Sequence, residues 1–252
     1  MNLRPRKTAG SIVSLENDVW RLEIPGGNGD SYRLAQLDDY GHLPRSRFLH
    51  ADSTVLTLSC RVSEPNLPGT WGFGFWNDPF TVSLGLGGMS RRLPALPNAC
   101  WLFHASAENH LSFAPKVHPS PASGFLAQTF CAPRIPSLLL APGAIFAPLL
   151  FIRPISRILR GLAGQLIREE AQRLDVDVTQ WHEYRLQGGK NRVEYFIDGV
   201  KVHETGFQPY GPLGLVIWID NQFAAWRPDG SLKAGVLSNP PAWMEVSGIH
   251  AS

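Results

Sequence analysis

Along most of the chain, apolar and polar residues alternate in short runs that stop at glycine, proline or asparagine. That is the pattern of half-buried β-strands. Val19–Ile24 alternates and ends at Pro25-Gly26-Gly27-Asn28-Gly29, and residues 32–38 alternate again, which predicts a hairpin. Further strands are expected over Val55–Val62, 71–76, 81–86 and Ala99–Ala105. After Trp181 the style returns. Residues 184–186, 192–197 and 200–204, the last two joined by Asp198-Gly199, predict a meander. Residues 213–219 are almost continuously apolar, as a strand covered on both faces must be, and 242–249 reads as a closing strand.

The middle of the chain breaks this pattern. Residues 135–152 carry no charge, and prolines recur at 136, 142, 148 and 154. A helix of that length would reach about 27 Å, near the ~30 Å of a hydrocarbon core, but Pro142 and Pro148 would interrupt it. From Ile155 the apolar residues Ile158, Leu159, Leu162 and Leu166 form a stripe with Arg153, Arg157 and Arg160 off it. This predicts a basic amphipathic helix running to Arg173. The expectation is one all-β domain over residues 1–252, an antiparallel β-sandwich, with 133–175 as a helical insertion. That insertion packs on the sandwich, lids a pocket, or rests on anionic lipid; the spacing leaves the three open.

Composition narrows the function classes. Charged residues make up 17% against about 25% in average domains, while 24 glycines and 21 prolines suit strands and turns. A net charge of +2 is no footprint for nucleic acid. The excess is local: Arg134, Arg153, Arg157, Arg160, Arg168 and Arg173 face only Glu169 and Glu170. Cys60, Cys100 and Cys131 have no metal or redox spacing and are expected to be reduced core residues. The basic start, Met1 to Lys7, is followed by no apolar run, so no secretory leader is expected and cytoplasmic residence, with membrane association through 135–173 as an addition, is the expectation. No cofactor or metal is expected. Neither a phosphate loop nor a serine-nucleophile elbow occurs.

Three segments together resemble a known family. Trp181-His182-Glu183-Tyr184-Arg185-Leu186 with Val193 to Val202 is similar to the Trp-His … Asp-Gly hairpin of glycoside hydrolase family 16. Gly69-Thr70-Trp71-Gly72-Phe73-Gly74-Phe75-Trp76 resembles its Trp-rich strand, and 241–249 its last strand. The resemblance implies a concanavalin A-like jelly roll with a concave binding face. Calcium is common in such folds, and Asp220-Asn221 offers oxygen ligands, but a dedicated acidic loop is missing. The family's E-x-D-x-x-E is also absent: the strand after the Trp-rich one, Ala99–Ala105, carries no carboxylate. Retaining hydrolysis needs two carboxyls about 5–5.5 Å apart. The family's catalytic residues therefore do not transfer.

Strand parity suggests a site without the family. Trp218, Asp220 and Gln222 share a face, as do Gly72, Gly74, Trp76 and Asp78, with the glycines leaving room for close approach. Gln36, Asp38 and Tyr40 share another, and His104 lies with Cys100, Leu102 and Ser106. Taken as one surface, these give Asp220, His104, Asp38 and Asp78 as candidates for acid–base chemistry, with Trp76, Trp218, Gln36, Gln222, Asn221 and Tyr40 binding a ligand. Each has a plainer role: the indoles as core, Asp38 and Asp78 as turn residues, His104 as a buried core histidine. Indoles beside carboxylates and amides suit a polyhydroxylated ring; the same set would orient an apolar molecule by a few polar groups. The first expectation is a carbohydrate-binding or non-standard carbohydrate-active protein. The alternative is an intracellular cyclase, isomerase or hydratase acting on an apolar small molecule beneath the insertion.

Overall fold

The alternating runs pair into two antiparallel sheets of seven strands. The computed structural model describes residues 2–8, 10–51, 54–79, 92–114, 120–140 and 148–252. Sheet A runs β1 (Arg4–Lys7), β4 (Leu34–Asp38), β13 (Gly214–Asp220), β6 (Thr70–Trp76), β7 (Ala99–Ala105), β8 (Gly124–Cys131), β9 (Arg168–Arg173). Sheet B runs β12 (Val200–Thr205), β11 (Val193–Ile197), β10 (His182–Gly188), β5 (Val55–Val62), β16 (Ala242–Ala251), β3 (Val19–Ile24), β2 (Ile12–Glu16). A separate hairpin joins β14 (Gln222–Trp226) to β15 (Leu232–Val236). The architecture is the antiparallel β-sandwich that the patterning predicts, with the jelly-roll form that the resemblance implies.

Parity places the core. Trp71, Phe73 and Phe75 of β6, Leu215, Ile217 and Ile219 of β13, and Ala35 and Leu37 of β4 point from sheet A toward sheet B. There they meet Leu22, Ile24, Leu56, Leu58, Tyr184, Tyr195, Met244 and Val246. Cys60, Cys100 and Cys131 are buried and free, as expected. The predicted meander is present: Asp198 (φ +50°) and Gly199 (φ +78°) make the tight turn between β11 and β12. Asp198 also explains the Trp-His … Asp-Gly spacing, because its carboxylate accepts from the Glu183 amide and lies 2.6 Å from His182 Nδ1.

Two expectations fail. Val19–Ile24 and the next strand do not form a hairpin; β3 pairs with β2 and β16 in sheet B, whereas β4 pairs with β1 and β13 in sheet A. Alternation assigns each strand an apolar face, and here those faces meet across the sandwich instead of side by side. Second, the helix does not reach Arg173. After α1 (Ser137–Leu140), α2 spans Arg153–Leu166, and Arg168–Arg173 is β9, laddered to β8. The closing strand expected over 242–249 is present as β16, which sits centrally between β3 and β5. The expected strand at 81–86 and part of the charge-free run, 141–147, lie outside the described residues. Among the described residues, no helix is long and apolar enough to cross a membrane.

Sheet A is apolar on its outer face too. Ala99, Trp101, Phe103 and Ala105 of β7 join Leu126 and Phe130 of β8 and Ile167 in a second buried cluster, with Trp76, Phe113, Ala163 and Trp218 packed against it. Gly72 and Gly74 are required beneath this layer. A Cβ on Gly72 would come within 2.7 Å of Phe103, and one on Gly74 within 2.6 Å of Trp101. The space that the glycines leave is filled by the protein's own aromatic strand. Gly72→Ala should therefore cost about 1–3 kcal/mol. Gly161→Ala, in α2 where a Cβ meets nothing within 4 Å, should stabilise by up to about 1 kcal/mol. Urea unfolding measures both; a Gly72→Ala protein as stable as its parent contradicts the close packing of β7 over β6.

Candidate functional site

The outer face of sheet A collects most of the expected site residues. Register sets Gln36 opposite Trp218 and Asp38 opposite Val216, with Trp218 opposite Gly72 and Gly214 opposite Trp76. The Trp76 and Trp218 rings lie parallel within 5°, their centroids 6.4 Å apart. Trp101 leans on both, at 6.0 and 5.8 Å. Both members of the parallel pair are half-buried.

Each indole of the pair has its N–H tied down. Trp76 Nε1 donates to the Tyr40 hydroxyl at 2.7 Å. Tyr40 is buried under Phe48 and against Gly214, so it acts as a post for Trp76 and offers no surface of its own. Trp218 Nε1 donates to Thr70 Oγ1 at 2.8 Å, and Thr70 Oγ1 donates to Asp220 Oδ1 at 2.8 Å. Asp220 accepts further from the Thr70 and Gln222 amides and the Tyr32 hydroxyl. Burial pushes its carboxyl up to about 6, and these hydrogen bonds oppose the rise.

The other carboxylates are committed in the same way. Asp38 takes Arg6 Nε at 3.1 Å, Gln36 Nε2 at 2.8 Å and the Gly41 amide at 2.6 Å. It thus ends a strand and neutralises an arginine. Asp78, in the left-handed region at φ +49°, pairs with Arg92. Asn221 is a latch: it accepts from the Arg33 amide and donates to Ser31 and Leu237 carbonyls. Its amide and the Asp220 carboxylate thus face protein donors and carbonyls. Among the described residues, no group of three or more His, Cys, Asp or Glu is placed to hold a metal ion. Gln222 begins β14 and so lies outside sheet A, in the β14–β15 hairpin.

His104 is on the wrong face for this site. It stands opposite Trp71 in the ladder and stacks on that ring at 5.9 Å, within the space between the sheets. Burial pushes its imidazole down to about 4, and its Nδ1 has no partner among the described residues. The residues with the opposite parity, Trp101 and Phe103, take the outer face instead. Sequence reasoning missed them, and missed Arg6, Thr70, Gln128 and the whole of β8 and β9. One signal was present: two glycines in β6 demand large neighbours, and only one parity of β7 supplies them.

On the far side of the aromatic layer buried Gln128 lies beside half-buried Glu169. Glu169 Oε2 accepts from the Phe113 amide at 2.6 Å, and Oε1 from Gln128 Nε2 at 3.4 Å. Burial raises the Glu169 carboxyl above its usual range. It holds the 111–114 loop to sheet A. A small apolar cavity lined by Thr54, Phe75, Cys100, Val193 and Leu213 lies between the sheets, not on this face.

No protein-family model matches the chain, and no curated protein sequence matches it. Solved structures do. The κ-carrageenase zobellia_236 from Zobellia galactanivorans superposes at TM-score 0.52 with 9% identity, over 95% of this chain and 80% of that one. A glycoside hydrolase family 16 endo-glucanase from Bacteroides ovatus gives 0.49 and 11%, over 98% and 94%. A legume lectin-like domain from Entamoeba histolytica gives 0.48 and 8%, over 100% and 89%. At such identities the likeness is one of fold. The protein is a concanavalin A-like β-sandwich, and its resemblance to glycoside hydrolase family 16 stands at that level.

His104 and Asp220 make opposite demands on pH. An unfolded histidine titrates near 6.5, so acid protonates the unfolded chain first; the stability His104 lends is complete above 6.5 and is lost as pH falls towards 4. Asp220, raised to about 6, holds a proton that the unfolded chain releases, which favours the fold at the acid end of that window. His104→Phe isolates the first effect. Between pH 7.5 and 4 the stability difference should move in favour of the variant by about 3 kcal/mol in urea melts. A difference independent of pH contradicts a buried neutral imidazole.

Proposed function

We propose that the protein binds a neutral oligosaccharide against the parallel Trp76–Trp218 pair and does not cleave it. The parallel, half-buried indoles carry this reading. Sugar rings have an apolar face that stacks on such a surface, and the hydrogen bonds from Thr70 and Tyr40 fix both indoles before a ligand arrives, so little ordering is left for binding to oppose. The flanking charge is cancelled, since Arg6 and Asp38 pair with each other. Neutral hydroxyls fit that surface better than acidic sugars do.

Binding without hydrolysis follows from the carboxylates. Asp38, Asp78 and Asp220 each spend their oxygens on the fold, and the outer face of β7 supplies none. Retaining hydrolysis requires a nucleophile and an acid facing one another across the bond. The reading of an apolar substrate beneath the insertion is less well supported, because α2 turns Ile158, Leu162 and Leu166 to solvent and not onto the indoles.

Calorimetric titration with soluble β-glucan and galactan oligosaccharides tests the proposal. Saturable binding is expected, weakened about tenfold or more by Trp218→Ala and by Trp76→Ala, with unchanged circular dichroism and no reducing sugar released. No binding by the folded parent, or variants that bind as it does, would sink the proposal.

A further inference from the structure

The apolar stripe of α2 faces the wrong way for a packing helix. A surface helix normally buries its apolar side and shows charge to water. Here the buried positions are Ser156 (0% exposed) and Arg160 (5%), whereas Ile158 (66%), Leu162 (51%) and Leu166 (48%) are open to solvent. These three recur at i, i+4 and i+8, so they make one continuous row. Phe151 and Ile152, just before the helix, are exposed as well.

This orientation is built in by specific contacts. The buried Arg160 guanidinium donates to the Trp226 and Ser112 carbonyls, each at 2.8 Å. Trp226 Nε1 donates back to Ser156 Oγ at 2.8 Å. Two glycines let the backbones close up: a Cβ on Gly230 would lie 2.4 Å from the Arg153 carbonyl, and one on Gly164 2.6 Å from that of Phe113. Turning the leucines inward would break all of these and bury nothing better.

We infer that α2 is a docking surface for an anionic phospholipid bilayer, seated by Ile158, Leu162 and Leu166 with Arg153 and Arg157 beside them. Charge selects this occupant. From Arg134 to Arg168 the chain has five arginines and no acidic residue. Arg153 and Arg157 are exposed; among the described residues Arg157 reaches only the Asp229 carbonyl, at 3.3 Å. Asp229, the acid that feels Arg153, is held by the Ser231 amide and hydroxyl. A second copy meeting this face about a two-fold axis would set arginines near arginines with no carboxylate on either helix. Lipid phosphates answer them, and acyl chains take the apolar row. The inference is independent of the glycan reading, which uses other residues.

Sedimentation of the full chain with extruded vesicles tests it. Vesicles of equal parts phosphatidylcholine and phosphatidylglycerol should carry the protein down more strongly than phosphatidylcholine alone. Ile158→Glu with Leu162→Glu should abolish this. Arg153→Gln and Arg157→Gln should each weaken binding to the mixed vesicles about fivefold. These side chains are exposed, and an unchanged melting curve confirms that the variants fold. Failure to sediment with either vesicle overturns the inference, as does vesicle binding by the glutamate variant equal to the parent's. So does a dimer, seen by light scattering, that the glutamate variant converts to monomer.

Discussion

Sheet A has to bury apolar side chains on both faces, and most of the structure is arranged around that demand. An antiparallel sheet in a sandwich ordinarily alternates core against water. In this chain Trp71, Phe73 and Phe75 face sheet B, while Trp101, Phe103, Phe130 and Trp218 face outward. The outward layer needs cover of its own. Part comes from Phe113, Ala163 and Ile167, brought over by the 111–114 loop and α2. The Trp76–Trp218 pair stays half-buried at the margin of this layer, and an aromatic surface at such a margin is where a ligand gains most.

The polar groups of the region serve the same demand. A carboxylate beside an indole is easily read as a catalyst. Asp220 instead terminates a chain of donors that runs from Trp218 through Thr70, and Tyr40 does for Trp76 what Thr70 does for Trp218. Both indoles would otherwise bury part of a polar N–H against apolar neighbours, at a cost of about 1–3 kcal/mol each. Anchoring them satisfies those groups and fixes the ring planes together. Stability and the readiness of the platform thus come from the same hydrogen bonds.

How much of this was legible in the sequence depends on the kind of signal. Alternation located β3, β5, β6, β7, β13 and the β10–β12 meander, because period two is a local property of a half-buried strand. Partnership is not local. Val19–Ile24 and the following strand look like a hairpin because they are adjacent and both alternate, yet they lie in different sheets. Parity is lost in the same way: choosing His104 over Trp101 as the outward side of β7 is a shift of one residue, and it exchanges every side chain between core and surface. Gly72 and Gly74 held the information that decides it, since each sits beneath a bulky residue of β7. Asp220 and Asn221 stood out in the sequence as site candidates; what could not be read was that Tyr32, Thr70, Arg33 and Leu237 would satisfy their polar atoms.

The helical segment shows a further limit of periodicity. The spacing of Ile158, Leu162 and Leu166 fixes an apolar stripe but carries no arrow telling whether core or solvent lies beyond it. The arrow comes from residues that look unremarkable in sequence: a serine and an arginine at i and i+4, and two glycines that permit close approach. Arg160 satisfies three carbonyls on its buried side, those of Trp226, Ser112 and Ala114, which offsets the cost of taking a guanidinium out of water. No leucine in that place could cap those carbonyls. The helix therefore docks by its polar edge, and its apolar row is left outward as a consequence of how the β14–β15 hairpin and the 111–114 loop are closed.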